Sequence, residues 1–272
     1  MKHWTLDDID WGRFDATKVT PDLVRIIKAA ALVEHNGHVY EAYLCNVFAG
    51  DAEFQSAARA WAEEEVQHGE ALARWAELAD PSWSFEASSR RFNDGYKLPV
   101  DRVESVRGSR TGELIARCMV ETGTSSYYTA LAEAAAEPVL QQICRKIAAD
   151  EFRHYRLFYD HMRRYQSAER LGRLGRLRTG LGRILETEDD ELAYAYFAAN
   201  AGRDDRYERR AWSRAYARQA YGYYRAHHVE RGIGMAFKAV GLPSNGRLHR
   251  LTWRLAHRFL RWRASSLAAQ GA

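Results

Sequence analysis

Apolar residues recur along this chain at intervals of three and four, and the polar residues that interrupt these stripes are mostly acids and histidines. Over residues 21–48 the pattern predicts a first helix, stopped at Gly50, with Glu34, His38, Glu41 and Cys45 on one face. Asp51 can cap a second helix reaching about residue 78, on which Trp61, Glu65, His68, Leu72 and Trp75 fall together. A third helix, over residues 111–136, aligns Leu114, Cys118, Glu121, Thr124 and Tyr128, and Glu137-Pro138 breaks it. A fourth, ending near residue 165, aligns Cys144, Ile147, Glu151, His154, Phe158 and His161. Residues 80–110, containing PSWS, NDG and KLPV, read as a long irregular connection.

The predicted fold is therefore all-α: two helical hairpins joined by one long crossover over residues 1–166, followed by a helical extension over residues 167–272. Alanine, leucine, arginine and glutamate dominate, five prolines are present, and alternating β-branched runs are missing, all of which favour helix. Within the extension, LGRLGRLRTGLGRILETEDD has too much glycine for one continuous helix, residues 190–228 read as helical, and GLPSNG turns the chain into a final amphipathic helix.

The two hairpins echo each other. Glu64-Glu65-Val66-Gln67-His68 and Asp150-Glu151-Phe152-Arg153-His154 both carry an acidic pair, two residues, then histidine. Each is preceded by a further glutamate: Glu34 lies 31 positions before Glu65, and Glu121 lies 30 before Glu151. Glu34 stands 16 residues before Gly50 and Glu65 15 after it; Glu121 stands 16 before Glu137 and Glu151 14 after it. At about 1.5 Å of rise per residue, each pair returns to nearly one height. Four carboxylates and two imidazoles thus meet at mid-helix among apolar neighbours. Burying four uncompensated carboxylates costs several kcal/mol each, whereas two divalent cations supply the missing charge. Mixed carboxylate and imidazole donors with open positions suit iron or manganese better than closed zinc, and a Glu from each of two helices plus Glu-x-x-His from each of the others is a dinuclear arrangement.

On these residues the chain resembles the ferritin-like di-iron carboxylate superfamily over about residues 20–165. The local motifs are most similar to those of soluble acyl-carrier-protein desaturases: Glu-Glu-x-x-His-Gly is matched by residues 64–69 and Asp-Glu-x-x-His by residues 150–154. Thr124, one turn after Glu121, matches the threonine those enzymes carry near the oxygen-binding side of the metals. The 56-residue step from Glu65 to Glu121 also fits desaturases and aldehyde-deformylating oxygenases. The chain is shorter than a typical plant desaturase, its first-hairpin spacing is shorter, and its basic tail has no counterpart in the family.

The resemblance implies a four-helix bundle holding two Fe ions, or an iron–manganese pair. Glu65 and Glu151 would bridge or flank them, Glu34 and Glu121 would be terminal ligands, and His68 and His154 would bind one ion each. Asp150 is expected behind His68 and Glu64 behind His154. From its spacing alone, His38, one turn from Glu34, reads as a residue behind or beside it, or with Glu41 as a further ligand. The implied activity is that of an enzyme, an O2-dependent oxidoreductase of desaturase or oxygenase type. It would take electrons from an external donor and act on an apolar or acyl substrate, with Thr124 assisting proton delivery or shaping the pocket. Related bundles often dimerise, so a homodimer is expected. The alternatives are a rubrerythrin- or ferroxidase-like protein handling peroxide or iron, and a metal-stabilised scaffold without catalysis.

Charge is unevenly distributed. Residues 201–272 hold 15 Lys/Arg against 4 Asp/Glu, a balance of +11, so with a chain total of +4 residues 1–200 carry −7. The basic tail reads as a packed helical face, as a dock for an acidic carrier protein, or as a contact to an anionic membrane surface; no nucleic-acid motif accompanies it. The N-terminus lacks a signal-like apolar stretch, and a cytoplasmic location is expected. Cys45, Cys118 and Cys144 are expected to be reduced core residues. Tyr127, Tyr128, Tyr155, Tyr159, Trp4 and Trp11 read as core aromatics or as electron relays, and His35 and His161 as packing or exposed residues.

Overall fold

The structure is a computed structural model and describes residues 3–186, 190–202 and 204–269. Among these residues it is all-helical, and no helix is long and apolar enough to cross a membrane. After three short turns at the N-terminus come α1 (Pro21–Glu34), α2 (Gly37–Val47) and α3 (Ala52–Ala79). Pro21 opens α1, and the Asp51 carboxylate accepts the Phe54 N–H to cap α3. Gly50, at φ +85°, makes the turn between α2 and α3.

The sequence pattern predicts one helix where α1 and α2 stand. The break at His35–Asn36 has a packing cause. A Cβ on Gly69 of α3 would lie 2.5 Å from the His35 backbone nitrogen, and one on Gly37 would lie 2.8 Å from Glu65 Cβ. At these two glycines α3 comes closer to the chain than any side chain permits, and the first helix is re-aimed across it.

The crossover is also more ordered than its turn residues predict. Ser84 accepts the Ala87 N–H and starts α4 (Phe85–Gly95), whose Phe92 is buried against Tyr96 and Tyr194. Then come α5 (Arg110–Ala134), capped by Ser109, and α6 (Pro138–Glu169). The Glu137 carboxylate caps α6 through the N–H groups of Val139 and Leu140 and also accepts the Trp75 indole N–H at 2.7 Å. α5 packs along α6, α1 and α2 lie on α3, and α3 meets α6.

The extension forms α7 (Arg173–Leu185), α8 (Asp190–Asn200), α9 (Arg209–Ala220), α10 (Ala226–Val240) and α11 (Arg247–Ala269). α7 is helical despite its glycines; Gly180 is where it meets Val240 of α10 and Met119 of α5. α8 packs on α1 and α4, α10 on α5, and α11 on α10 and α9. The Tyr155 hydroxyl donates to the Met235 carbonyl at 2.8 Å, so residues of α10 complete the wall of the α5–α6 pair.

Two apolar clusters fill the interior. One holds Leu32, Leu72, Trp75, Tyr128, Leu131 and Ile147; the other holds Leu44, Trp61, Leu114, Cys118, Phe158 and Met162. On α3, α5 and α6 the acids and histidines of the candidate site fall between the two.

Candidate metal centre

The site residues sit at the waist between the two apolar clusters, each Glu-x-x-His pair within one turn of its helix. Glu34 is the last residue of α1; Glu65 and His68 sit mid-way along α3, Glu121 on α5, and Glu151 and His154 on α6. All six are buried. Their donor atoms fall into two overlapping sets, Glu34, Glu65, His68 and Glu151 in one and Glu65, Glu121, Glu151 and His154 in the other, each set within 4.8 Å. Glu65 and Glu151 belong to both. Either set can hold a metal ion.

The histidines are aimed from behind. His68 Nε2 lies 3.0 Å from Asp150 Oδ2, and His154 Nε2 lies 2.8 Å from Glu64 Oε2. These bonds cross between the hairpins: the acid of each echoing motif holds the histidine of the other. A carboxylate on Nε2 selects the tautomer whose Nδ1 carries a lone pair, and it raises that atom's basicity. His68 Nδ1 then faces Glu151 Oε1 at 3.4 Å and Glu65 Oε2 at 3.6 Å. His154 Nδ1 faces Glu65 Oε1 at 3.0 Å.

Four atoms of this centre are buried and make no hydrogen bond: His68 Nδ1, His154 Nδ1, Glu121 Oε1 and Glu151 Oε1. Native proteins satisfy nearly all their buried polar atoms, so four orphans converging on one place form a donor set lacking its acceptor. The residues therefore fit a pair of cations.

Without a cation the cluster neutralises itself with protons. Burial and the charge of Glu65 raise Glu34 well above the usual carboxylate range, and burial with the charges of Glu151 and Glu65 does the same for Glu121. Burial also opposes ionisation of Glu65, but the neighbouring His154 and His68 outweigh it and hold Glu65 well below that range. Burial disfavours charge on His68, yet Asp150, Glu151, Glu34 and Glu65 together hold it well above its ordinary value. His154 is pushed up to about 9, with burial overcome chiefly by Glu64 and Glu65. Asp150 is lowered to about 2, its burial outweighed by bonds to His68, Arg153 and Trp4.

Further residues support the centre. The Thr124 hydroxyl donates to Glu151 Oε2, and the Tyr128 hydroxyl donates to Glu34 Oε1 at 2.5 Å. The Trp4 indole N–H donates to Asp150 Oδ2 at 2.6 Å, and its ring lies parallel to His68 with centroids 6.0 Å apart. Arg153, one of the two unspecified positions in the second motif, donates to both Asp150 and Glu64 and so links the two orienting acids. Sequence reasoning placed Tyr128 on the correct stripe without its bond to Glu34. It had no signal for the Arg153 link, apart from a cation standing among acids.

One expectation is corrected. His38 is 53% exposed and pairs with Glu41, not with the centre. The break after α1 removes the one-turn relation between Glu34 and His38 on which that expectation rested. A separate group, Glu133 with His227 and His228, lies between α5 and α10. There His228 Nδ1 accepts the Arg225 N–H at 3.0 Å, which places the neutral ring's proton on Nε2, facing Glu133. That geometry clasps α10 to α5.

No protein-family model matches the chain, and no curated protein matches it significantly.

Proposed function

We propose that α1–α2, α3, α5 and α6 form a ferritin-like four-helix bundle of the di-iron carboxylate type, and that the protein is an O2-dependent oxidoreductase acting on an apolar organic substrate. The reading rests on the two overlapping donor sets that share Glu65 and Glu151 and leave four buried atoms unpartnered. Glu34 and His68 would hold one iron, Glu121 and His154 the other, with Glu65 and Glu151 between them. When bound, such a pair supplies the electrons for reduction of O2, to be restored by an external donor.

The protein's own part is orientation, exclusion of water and proton handling. Asp150 and Glu64 fix the imidazoles. Trp61, Phe158 and Leu72 are buried along the same helices and would keep water from the acids. Thr124, bonded to Glu151 Oε2, holds an exchangeable proton beside a ligand carboxylate. Tyr128 holds one beside Glu34.

The test is anaerobic loading with Fe(II), then admission of O2, with metal stoichiometry and visible absorption recorded and Glu65→Ala as control. About two irons per chain and an O2-dependent band absent from the control are expected, this stoichiometry following from the shared-carboxylate geometry. Folded wild-type protein that binds no iron would sink the proposal. Rapid oxidation of surplus iron, or peroxide consumption without organic turnover, would favour an iron- or peroxide-handling role.

A further inference from the structure

α11 packs through only part of its circumference. Its inner side carries buried Leu267 and His249, whose Nε2 lies 3.1 Å from the Glu230 carbonyl of α10 and whose ring meets Phe237 edge-on. Turned away from these are Leu248, Leu251, Leu255, Phe259 and Trp262, each between 53% and 62% exposed. At 3.6 residues per turn they fall within an arc of about 80° and form a straight row roughly 21 Å long. Exposed large apolar residues scattered singly need no explanation, but a contiguous row marks an interaction surface.

The polar residues say what covers it. Arg250, Arg254, Arg258 and Arg261 are exposed and occupy the neighbouring arc, on the side away from the packed face. Residues 247–269 contain no Asp or Glu. A second copy of this helix would therefore offer nothing to pair with the arginines. Nearby α9 adds Arg209, Arg210 and Arg214, which with Arg263 line a cleft beside α11. α7 repeats the chemistry, with Leu174, Leu181 and Leu185 exposed, four arginines and no acid within its range.

We infer that the outer face of α11 docks the protein on an anionic phospholipid surface, the helix lying in the interface with its Leu–Phe–Trp row among the upper acyl chains and its arginines at the headgroups. One continuous surface then satisfies both the apolar row and the arginines of α11. The helix is already folded against α10 and α9, so docking carries no cost of ordering it. It lies on the membrane and does not span it. The inference stands apart from the chemistry of the metal centre.

The experiment is sedimentation of the full-length chain with vesicles of pure phosphatidylcholine and with equimolar phosphatidylcholine–phosphatidylglycerol, over a range of salt. Binding to the anionic vesicles alone, weakening with salt, is expected. The variant L255S/F259S/W262S changes only exposed positions and should keep the wild-type melting temperature while losing at least about tenfold in vesicle affinity. R250Q/R254Q/R258Q should lose about fivefold per arginine and show a shallower salt dependence. Equal binding by the apolar variant overturns the inference, as does failure to bind anionic vesicles at low salt. Binding to acyl carrier protein, used as an acidic-protein probe, without binding to vesicles overturns it in favour of a protein partner.

Discussion

Asp150 and Glu64 are the residues on which the candidate metal centre's geometry turns, because each holds the nitrogen that a histidine does not offer inward. Asp150→Asn keeps the shape but weakens the hold on the His68 tautomer. It is expected to lower metal affinity by roughly 10–100-fold with little change in helicity, as read by competition against a chromophoric chelator. The protons of the metal-free cluster give a second prediction. Since His68 and His154 are raised, the latter to about 9, and Glu34 and Glu121 are raised as carboxylates, a cation must displace protons to bind. Affinity therefore rises with pH through neutrality, and calorimetry in buffers of different ionisation enthalpy should register proton release on binding. Uptake without proton release would contradict this protonation of the metal-free cluster. At this scale the six ligand-type residues were legible because turn-to-residue distances and helical faces are arithmetic on a sequence. Trp4 was not, since a tryptophan in an irregular N-terminal segment has no period that would aim it at Asp150.

Among the elements, the break between α1 and α2 carries the most information. Helical periodicity runs straight through residues 21–48, and no proline interrupts it; the cause lies in another helix, at Gly69. Nothing local can reveal that. Gly69→Ala would drive a methyl to 2.5–2.7 Å from the backbone nitrogen, Cα and Cβ of His35. A loss of about 1–3 kcal/mol is expected, measured by urea unfolding. An unchanged midpoint would mean that α3 and the break can part freely. α4 and α7 were obscured for the opposite reason. Their glycines and turn residues are locally discouraging, and packing against α8, α5 and α10 overrides them. The hairpin helices were legible because propensity, capping and stripe all agree there.

For the whole molecule, a cluster of buried acids and imidazoles that holds its charge balance with protons is a liability unless metal is present. Chelation is expected to lower the melting temperature, by roughly 5–10 °C relative to protein held at a hundredfold excess of metal over its dissociation constant. Scanning calorimetry with and without chelator measures this, and equal values would mean that the centre contributes nothing to stability. The extension takes part in the same fold, since α10 supplies the carbonyl that accepts the Tyr155 hydroxyl and packs along α5. One consequence follows from the crossed bonds of Glu64 to His154 and Asp150 to His68. Neither echoing segment owns its own histidine's orientation. A change that loosens an acid in one hairpin is felt at a histidine of the other, so the two motifs act as a matched pair.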